Sequence, residues 1–278
     1  MDQQDKTLAA RFFFKNCAVS IHLPGELRLS RTLKPSPDDV VLNRNFCPEN
    51  DPSVFIGSHN DFYRFLDLST PSNSDCLRKL SAIGYLLCNK LPRTGFRCRG
   101  FVCVNDEENS CANGKSLFAR AIAELNNPAF LNGRINRNTG LFDLRGVDER
   151  TTVAVLDGIH ISQTNLDRLY SICPGDWRID RKGFPELVLE RDNAPYLLIT
   201  TNTPAHRFLI HGSAIRRFVP LGFSSFFGVE NPVHTYFGHS FFSEWNEEQW
   251  HLFDNFMFYC VLEYLRVFSS GIDIFQII

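Results

Sequence analysis

Eight consecutive residues have the types and spacing of a phosphate-binding loop: Asn109, Ser110, Cys111, Ala112, Asn113, Gly114, Lys115 and Ser116. In such a loop the backbone amides turn inward at a helix N-terminus, where the helix dipole also favours an anion. Lys115 would reach the β- and γ-phosphates of a nucleotide, and the Ser116 hydroxyl would bind Mg²⁺. The alternative is a chance Gly-Lys-Ser tripeptide at the start of a helix.

The first position of this loop departs from the pattern G-x-x-x-x-G-K-[ST], because Asn109 stands where glycine is expected. Asparagine tolerates a positive φ better than most residues, so it can partly replace glycine there. The departure bears on nucleotide hydrolysis more than on nucleotide binding.

A second element is the apolar run 153–156, which ends in Asp157. A buried strand that ends in an acid is typical of the Walker B element, whose carboxylate would hold the hydration shell of Mg²⁺ opposite Ser116. Nucleotide-hydrolysing proteins commonly carry a second acid at the next position, but Gly158 stands there. An ordinary aspartate that caps a turn is the alternative interpretation of Asp157.

These residues need a scaffold of alternating strands and helices. Apolar runs predict strands over 100–104, 153–156 and 196–200, and helical spacing predicts a helix over 115–125. Short apolar strands separated by helices indicate a parallel sheet that is covered on both faces. The sequence therefore predicts an α/β fold.

The regions that flank this alternation differ from it. Residues 1–73 look irregular, since prolines, asparagines and aspartates are scattered through them, with short strand-like pieces such as 18–23. A helix is predicted over 75–91. Near the end of the chain, Asn246 and Gln249 predict a capping box at the start of an aromatic-rich amphipathic helix.

Composition excludes several classes of protein. The chain has 278 residues with 29 basic and 31 acidic side chains and a net charge of -2, so it offers no general attraction to nucleic acid or anionic lipid. Its nine cysteines include no C-x-x-C pair, which argues against zinc and a disulfide framework. The longest apolar stretch, 256–262, is far shorter than the roughly 20 residues that span a bilayer. Without a recognisable signal peptide, a cytoplasmic location is expected.

With the run Tyr196–Asn202 following Asp157, the set of motifs resembles the superfamily III helicases, the AAA+ motors of viral, phage and plasmid replication proteins. More narrowly, it resembles the helicase domain of phage or mobile-element primase-helicases, over roughly residues 75–268. Asn202 matches the family's polar sensor of the γ-phosphate. The resemblance implies ATP and Mg²⁺ as ligands, Ser116 and Asp157 at the metal, and Lys115, Asp157 and Asn202 as catalytic residues.

The segment 175–183 resembles a hairpin of that family. In the family this hairpin projects into the central channel of a ring and grips single-stranded DNA. The basic residues at the corresponding positions are Arg178, Arg181 and Lys182. A solvated basic turn is the alternative interpretation.

The segment 213–218 resembles the family's arginine-finger segment. Arg216 or Arg217 would reach the nucleotide of a neighbouring subunit, and the position just before the following strand favours Arg217 slightly. Ordinary surface ion pairs are the alternative for both arginines.

The fold that the resemblance implies is an AAA+ P-loop NTPase core, in which helices flank a central parallel sheet, plus a helical C-terminal segment. The expected organisation is an N-terminal appendage of unknown role over 1–73, a helical lead-in over 74–94, the ATPase core over 95–230 and the C-terminal helical segment over 231–278. No primase domain is recognisable in the appendage.

The function implied is that of an ATP-dependent DNA helicase motor for replication of a phage, virus or mobile element. It would translocate on single-stranded DNA as a homo-oligomeric ring, by resemblance a hexamer, with hydrolysis that Asn109 and Gly158 could weaken; neither zinc nor a membrane is expected. The alternative is a P-loop regulatory ATPase that uses nucleotide as an assembly switch without moving along DNA. A small-molecule kinase fits less well, because only Arg134, Arg137 and Arg145 loosely match its arginine-rich lid.

Overall fold

A computed structural model of the chain describes residues 7–91, 99–106, 112–133, 143–159, 163–173, 175–181, 183–204 and 212–276. Within them the strands are β1 (Leu8–Phe13), β2 (Ala18–His22), β3 (Glu26–Ser30), β4 (Val40–Val41), β5 (Gly100–Asn105), β6 (Pro128–Asn132), β7 (Val153–Asp157), β8 (Trp177–Ile179), β9 (Leu187–Leu189), β10 (Tyr196–Pro204) and β11 (Phe218–Phe223). The helices are α1 (Pro52–Phe55), α2 (Asp61–Leu68), α3 (Asn73–Leu87), α4 (Lys115–Ala123), α5 (Gln163–Ile172), α6 (Gly212–Arg217), α7 (Val233–Phe237) and α8 (Glu247–Ser269), with a 3₁₀ turn over Ile274–Gln276. The chain divides into two compact units, one made of Met1–Leu91 with Phe226–Ile278 and the other of Pro92–Ser225.

The unit Pro92–Ser225 is built on a five-stranded sheet in the order β11-β5-β10-β7-β6. Every neighbouring pair in this sheet is parallel. Parallel neighbours need crossover connections, which helices such as α4 and α5 supply. Strand β5 is buried along its whole length, as expected for a sheet covered on both faces. The predicted α/β class is confirmed.

The strand order determines where chemistry can occur. Strand β10 lies between β5 and β7, so the carboxyl ends of these three strands are neighbours. The phosphate loop follows β5, Asp157 ends β7, and Asn202 lies near the end of β10. In open parallel sheets, ligands bind next to the carboxyl ends of the strands, at the point where the strand order reverses.

Strands β5, β7 and β10 and helix α4 begin at the predicted residues, whereas β6, like helices α5 and α6, was not predicted. It begins at Pro128 and alternates between exposed and buried side chains. This strand lies at the edge of the sheet, where a proline that cannot donate a ladder hydrogen bond is tolerated. Because one face of β6 is exposed, its sequence lacks the continuous apolar run by which the central strands are recognised.

In the other unit, the described residues 7–73 are more regular than their composition indicates. Strands β1 to β4 form a sheet in the order β3-β2-β1-β4, so the interpretation of this segment as irregular was wrong. Strands β1, β2 and β3 pair as an antiparallel meander, and the two-residue β4 joins β1 in parallel. The strands are short and separated by turn residues, and their partners are what stabilise them.

Helix α8 covers the core of the same unit and begins at the predicted capping box. The side chain of Asn246 accepts from the Gln249 amide at 2.9 Å, and the Gln249 side chain accepts from the Asn246 amide at 3.0 Å. Helix α3 packs against α8 at Gly84, where a Cβ atom would lie 2.4 Å from the carbonyl oxygen of Cys260. Only glycine allows the two backbones to approach so closely.

A buried ion pair joins the N-terminal part of this unit to α8. The Arg44 guanidinium donates two hydrogen bonds to the carboxylate of Asp254, at 2.7 and 2.8 Å. The same guanidinium lies 4.1 Å from the ring centroid of Trp250. Residues distant in the sequence therefore stabilise one core, and breaking this pair would leave a charge buried without its partner.

Candidate functional site

The phosphate loop enters α4 through residues with left-handed backbone. Gly114 is the N-cap residue with φ of 91°, and Ala112 has φ of 59°. Glycine adopts a positive φ without steric cost, so Gly114 is the residue type that this turn requires. The first amides of a helix have no intrahelical acceptor and are available to an anion. Asn109, Ser110 and Cys111 lie outside the described residues.

Two of the predicted site residues meet at the edge of the sheet. The Ser116 hydroxyl donates to Oδ1 of Asp157 at 3.1 Å, and both side chains are exposed. Ser116 comes from the first turn of α4 and Asp157 from the end of β7. A hydroxyl and a carboxylate are hard oxygen ligands of the kind that Mg²⁺ prefers, usually with several waters completing its shell. This pair therefore fits a magnesium site.

A residue that the sequence reasoning missed orients this carboxylate. The buried Thr200 hydroxyl donates to the same Oδ1 of Asp157 at 2.5 Å and accepts from the Gly158 amide at 2.8 Å. Two hydroxyls thus hold Oδ1, while Oδ2 has no hydrogen-bond partner among the described residues. The signal in the sequence was a threonine within a strand that is otherwise mostly apolar, two residues before the predicted sensor.

Lys115 is held by two side-chain amides. Its ammonium group donates to Oδ1 of Asn113 at 2.7 Å and to Oδ1 of Asn105. Asn105 ends β5 and was not predicted as a site residue. A polar residue that ends a fully buried apolar strand, ten positions before the lysine, was the available signal.

The sensor strand meets the phosphate loop through Asn105. The Asn105 side chain donates to the carbonyl oxygen of Asn202 at 3.4 Å. The side chain of Asn202 is exposed, whereas the preceding Thr201 is buried and donates to the carbonyl oxygen of Ile159 at 2.8 Å. Hydrogen bonds therefore hold β10 at the position predicted to sense phosphate and at the residue before it.

The segment predicted to contact DNA is an antiparallel hairpin of β8 and β9. Arg178 is exposed and pairs with Glu186 at 3.0 Å, and Arg181 pairs with Glu149 at 2.9 Å. Hydrogen bonds from its own backbone amide and from Arg181 lower the pKa of Glu149. Lys182 lies outside the described residues. Among the described contacts of the two arginines, none reaches the phosphate loop.

The two arginines of the predicted finger differ in their surroundings. Both lie at the end of α6; Arg216 is exposed, and the Arg217 guanidinium lies 5.5 Å from the ring centroid of Tyr170. Burial raises the pKa of the Tyr170 hydroxyl, although the charge of Arg217 opposes this. Arg217 packs within its own unit, and Arg216 is therefore the more accessible of the two side chains.

Other sites receive no support from the described residues. Of the arginines considered for a kinase lid, Arg145 pairs with Asp143, while Arg134 and Arg137 lie outside the described residues. No group of three or more histidine, cysteine, aspartate or glutamate side chains in the described chain could hold a metal ion. No helix among these residues is long and apolar enough to cross a membrane.

The parallel sheet, the loop that leads into α4 and the acid at the end of β7 together define an α/β core of the P-loop NTPase kind. No family model matches the chain, and no curated protein matches its sequence.

Among solved structures, the chain is similar to a JCV helicase at 12% identity, covering 80% of this chain and 69% of that one, with a TM-score of 0.39. It is similar to the apo A form of the NrS-1 C-terminal region at 10% identity, covering 95% and 67%, with a TM-score of 0.44. A second structure of that region, spanning its residues 305–718, gives 10% identity, 97% and 67% coverage and a TM-score of 0.40.

Proposed function

We propose that the chain is an ATP-dependent DNA helicase motor of the superfamily III type, acting in the replication of a phage, virus or mobile element. The observation that carries the proposal is the contact between Ser116 and Asp157 at the start of α4, next to Lys115. A hydroxyl, a carboxylate and a lysine at a helix N-terminus are the groups that a magnesium nucleotide needs. Such a motor would act in the cytoplasm of the host cell.

The proposed chemistry is positioning and charge stabilisation, because phosphoryl transfer needs little covalent help from the protein. Lys115 and the N-terminus of α4 bind phosphate oxygens, and Asn202 contacts the γ-phosphate. Thr200 fixes the carboxylate of Asp157. Bound Mg²⁺ would neutralise the charge that develops on the phosphates. In a ring of identical chains, a hexamer by resemblance, Arg216 of the next chain would complete the site.

The hairpin offers a surface for single-stranded DNA. The ion pair of Arg178 with Glu186 is exposed, and solvent weakens such a pair, so a DNA phosphate can replace the glutamate; Arg181, which pairs with Glu149, is half-buried. At the hairpin turn the Phe184 side chain is 74% exposed, and aromatic side chains of this kind stack on bases. The net charge of -2 is compatible with this, because only the face of a ring that meets DNA has to be positive.

We expect Phe184→Ala to weaken binding of a fluorescent oligo(dT) about tenfold, because stacking contributes roughly 1–3 kcal/mol per base. Phe130→Ala is the matched control, since Phe130 is also exposed, at 54%, but belongs to β6. A second experiment tests the motor itself: ATP hydrolysis is measured with and without the oligonucleotide, and the Asp157→Asn variant gives the background rate. A wild-type rate no higher than that background, with or without DNA, would contradict the motor.

An assembly switch that never translocates is the second candidate. Two observations favour it: Gly158 stands where a second acid is expected, and both described basic residues of the hairpin are paired with glutamates. A switch predicts that ATP changes the sedimentation coefficient of the protein while oligo(dT) affects neither assembly nor hydrolysis. A motor predicts that DNA stimulates hydrolysis.

The carboxylate of Asp157 gives a separate prediction at Thr200. Thr200→Val keeps the volume of the side chain but removes the hydroxyl that holds Oδ1, so we expect the Mg²⁺ concentration for half-maximal ATP hydrolysis to rise about 10-fold, as is typical when a group behind a metal ligand is lost. Thr200→Ser restores the hydroxyl and should restore the Mg²⁺ dependence. An unchanged Mg²⁺ dependence in the valine variant would show that Ser116 alone orients the acid.

A further inference from the structure

The ammonium group of Lys115 already has side-chain oxygen partners. Oδ1 of Asn113 and Oδ1 of Asn105 both accept hydrogen bonds from it, the former at 2.7 Å. The Asn113 side chain also donates to Oδ1 of Asn105 at 3.1 Å. Lys115 is 6% exposed, and each asparagine is 1% exposed. Side-chain amide oxygens therefore occupy donors that the proposed function assigns to nucleotide phosphates.

The same group of residues contacts the strand that carries the sensor. While Oδ1 of Asn105 accepts from Lys115, the amide nitrogen of Asn105 donates to the carbonyl oxygen of Asn202 at 3.4 Å. The two ends of one side-chain amide thus connect the phosphate loop to β10. When Lys115 moves, its hydrogen bond with the oxygen of the Asn105 side chain changes. The contact of the nitrogen of the same side chain with Asn202 then changes as well.

We propose that Asn105 and Asn113 form an amide clamp that regulates the nucleotide site. A phosphate has to displace the clamp from Lys115 before it can bind, and the displaced Asn105 changes its contact with Asn202. The clamp rests on the proposed function, since it regulates that same nucleotide site. In the absence of nucleotide, the clamp provides hydrogen-bond acceptors for Lys115. It also connects phosphate binding to strand β10, which carries the predicted sensor.

The clamp lowers nucleotide affinity by competition. Where a binding-competent form is only a fraction of the population, the apparent Kd rises by the inverse of that fraction. A hydrogen bond from a charged donor typically contributes enough to change an equilibrium about tenfold or more. In the nucleotide-free form, Lys115 donates to the amide oxygen, so removing that oxygen destabilises this form. In the nucleotide-bound form, a phosphate oxygen accepts from Lys115 instead, so the same substitution has less effect.

The test measures the Kd of Mg²⁺-ATP by calorimetry. Asn113→Ala and Asn105→Ala are each expected to tighten binding about tenfold, because each removes one competing oxygen. Asn105→Asp is expected to weaken binding at least about tenfold, because a carboxylate both pairs with Lys115 and repels phosphate. The matched control is Asn126→Ala, a buried asparagine of the same unit that bonds to Ile122 and Thr152.

The outcomes separate the clamp from the function on which it rests. If the wild type binds Mg²⁺-ATP and neither alanine variant binds more tightly than Asn126→Ala, the clamp is wrong and the nucleotide site stands. If the wild type binds no Mg²⁺-ATP, both proposals fall. Thermal unfolding shows which variants are folded. If only one of the two alanine variants folds, its Kd for Mg²⁺-ATP alone shows whether removing a competing oxygen tightens binding.

Discussion

Lys115→Ala is expected to lower kcat/KM for ATP hydrolysis about 100- to 1,000-fold, the usual cost of removing one group that stabilises charge in a transition state. The ammonium group is the only charged donor that the described part of the phosphate loop offers. Its loss also leaves the amide oxygens of Asn105 and Asn113 without their shared partner. The measurement is steady-state hydrolysis of Mg²⁺-ATP by the full chain.

The control for Lys115→Ala is Lys15→Ala, which removes an exposed lysine from the other compact unit. Substitutions at exposed positions of this kind usually change stability by no more than about 0.5 kcal/mol. We expect this variant to hydrolyse ATP at the wild-type rate. Equal rates for Lys115→Ala and the wild type would remove the phosphate loop from the mechanism.

Arg216→Ala is expected to reduce kcat about 1,000-fold, the lower end of what an arginine supplied to a phosphoryl-transfer site contributes. Arg216 is exposed at the end of α6, whereas Arg217 packs against Tyr170. Arg217→Ala should therefore lower the thermal stability of the unit more than Arg216→Ala does. Arg191→Ala, which removes an exposed arginine paired with Asp192, is the matched control.

Mixing two inactive variants tests whether the arginine acts from a neighbouring chain. In the proposed ring, a chain with Arg216→Ala still has Lys115, and a chain with Lys115→Ala still has Arg216. A mixed assembly therefore contains some sites with both residues, and ATP hydrolysis should recover on mixing. If hydrolysis does not recover although the two variants assemble together, Arg216 does not act across an interface.

Sequence reasoning located strand β5 and helix α4, which flank the predicted phosphate loop, because apolar periodicity and the start of α4 at Lys115 are local properties. The capping box of α8 was predicted for the same reason, since Asn246 and Gln249 lie within one helical turn. Each of these features depends on residues that are close together in the sequence.

Contacts between distant strands could not be predicted in this way. Thr200 holds Asp157 only because β10 is inserted next to β7, and Asn105 contacts Asn202 only because β10 also pairs with β5. The strand-like piece over 18–23 is β2, but its assembly with β1, β3 and β4 was missed, because these short strands are stabilised by their partners and by α8, as in the contact of Phe12 with Phe258, rather than by local propensity. The Thr200–Asp157 contact, the Asn105–Asn202 contact and the N-terminal sheet all depend on which strands pair in the fold, and a single sequence does not reveal that pairing.

The two-part composition of the unit formed by Met1–Leu91 and Phe226–Ile278 has a consequence for synthesis on the ribosome. Pro92–Ser225 leaves the exit tunnel as one continuous piece, so it can fold while translation continues. The first unit has to wait for α8, whose close packing against α3 at Gly84 completes its core. In a nascent chain the unit Pro92–Ser225 can therefore fold first, while the buried side chains of the N-terminal sheet and of α3 stay uncovered until α8 is made.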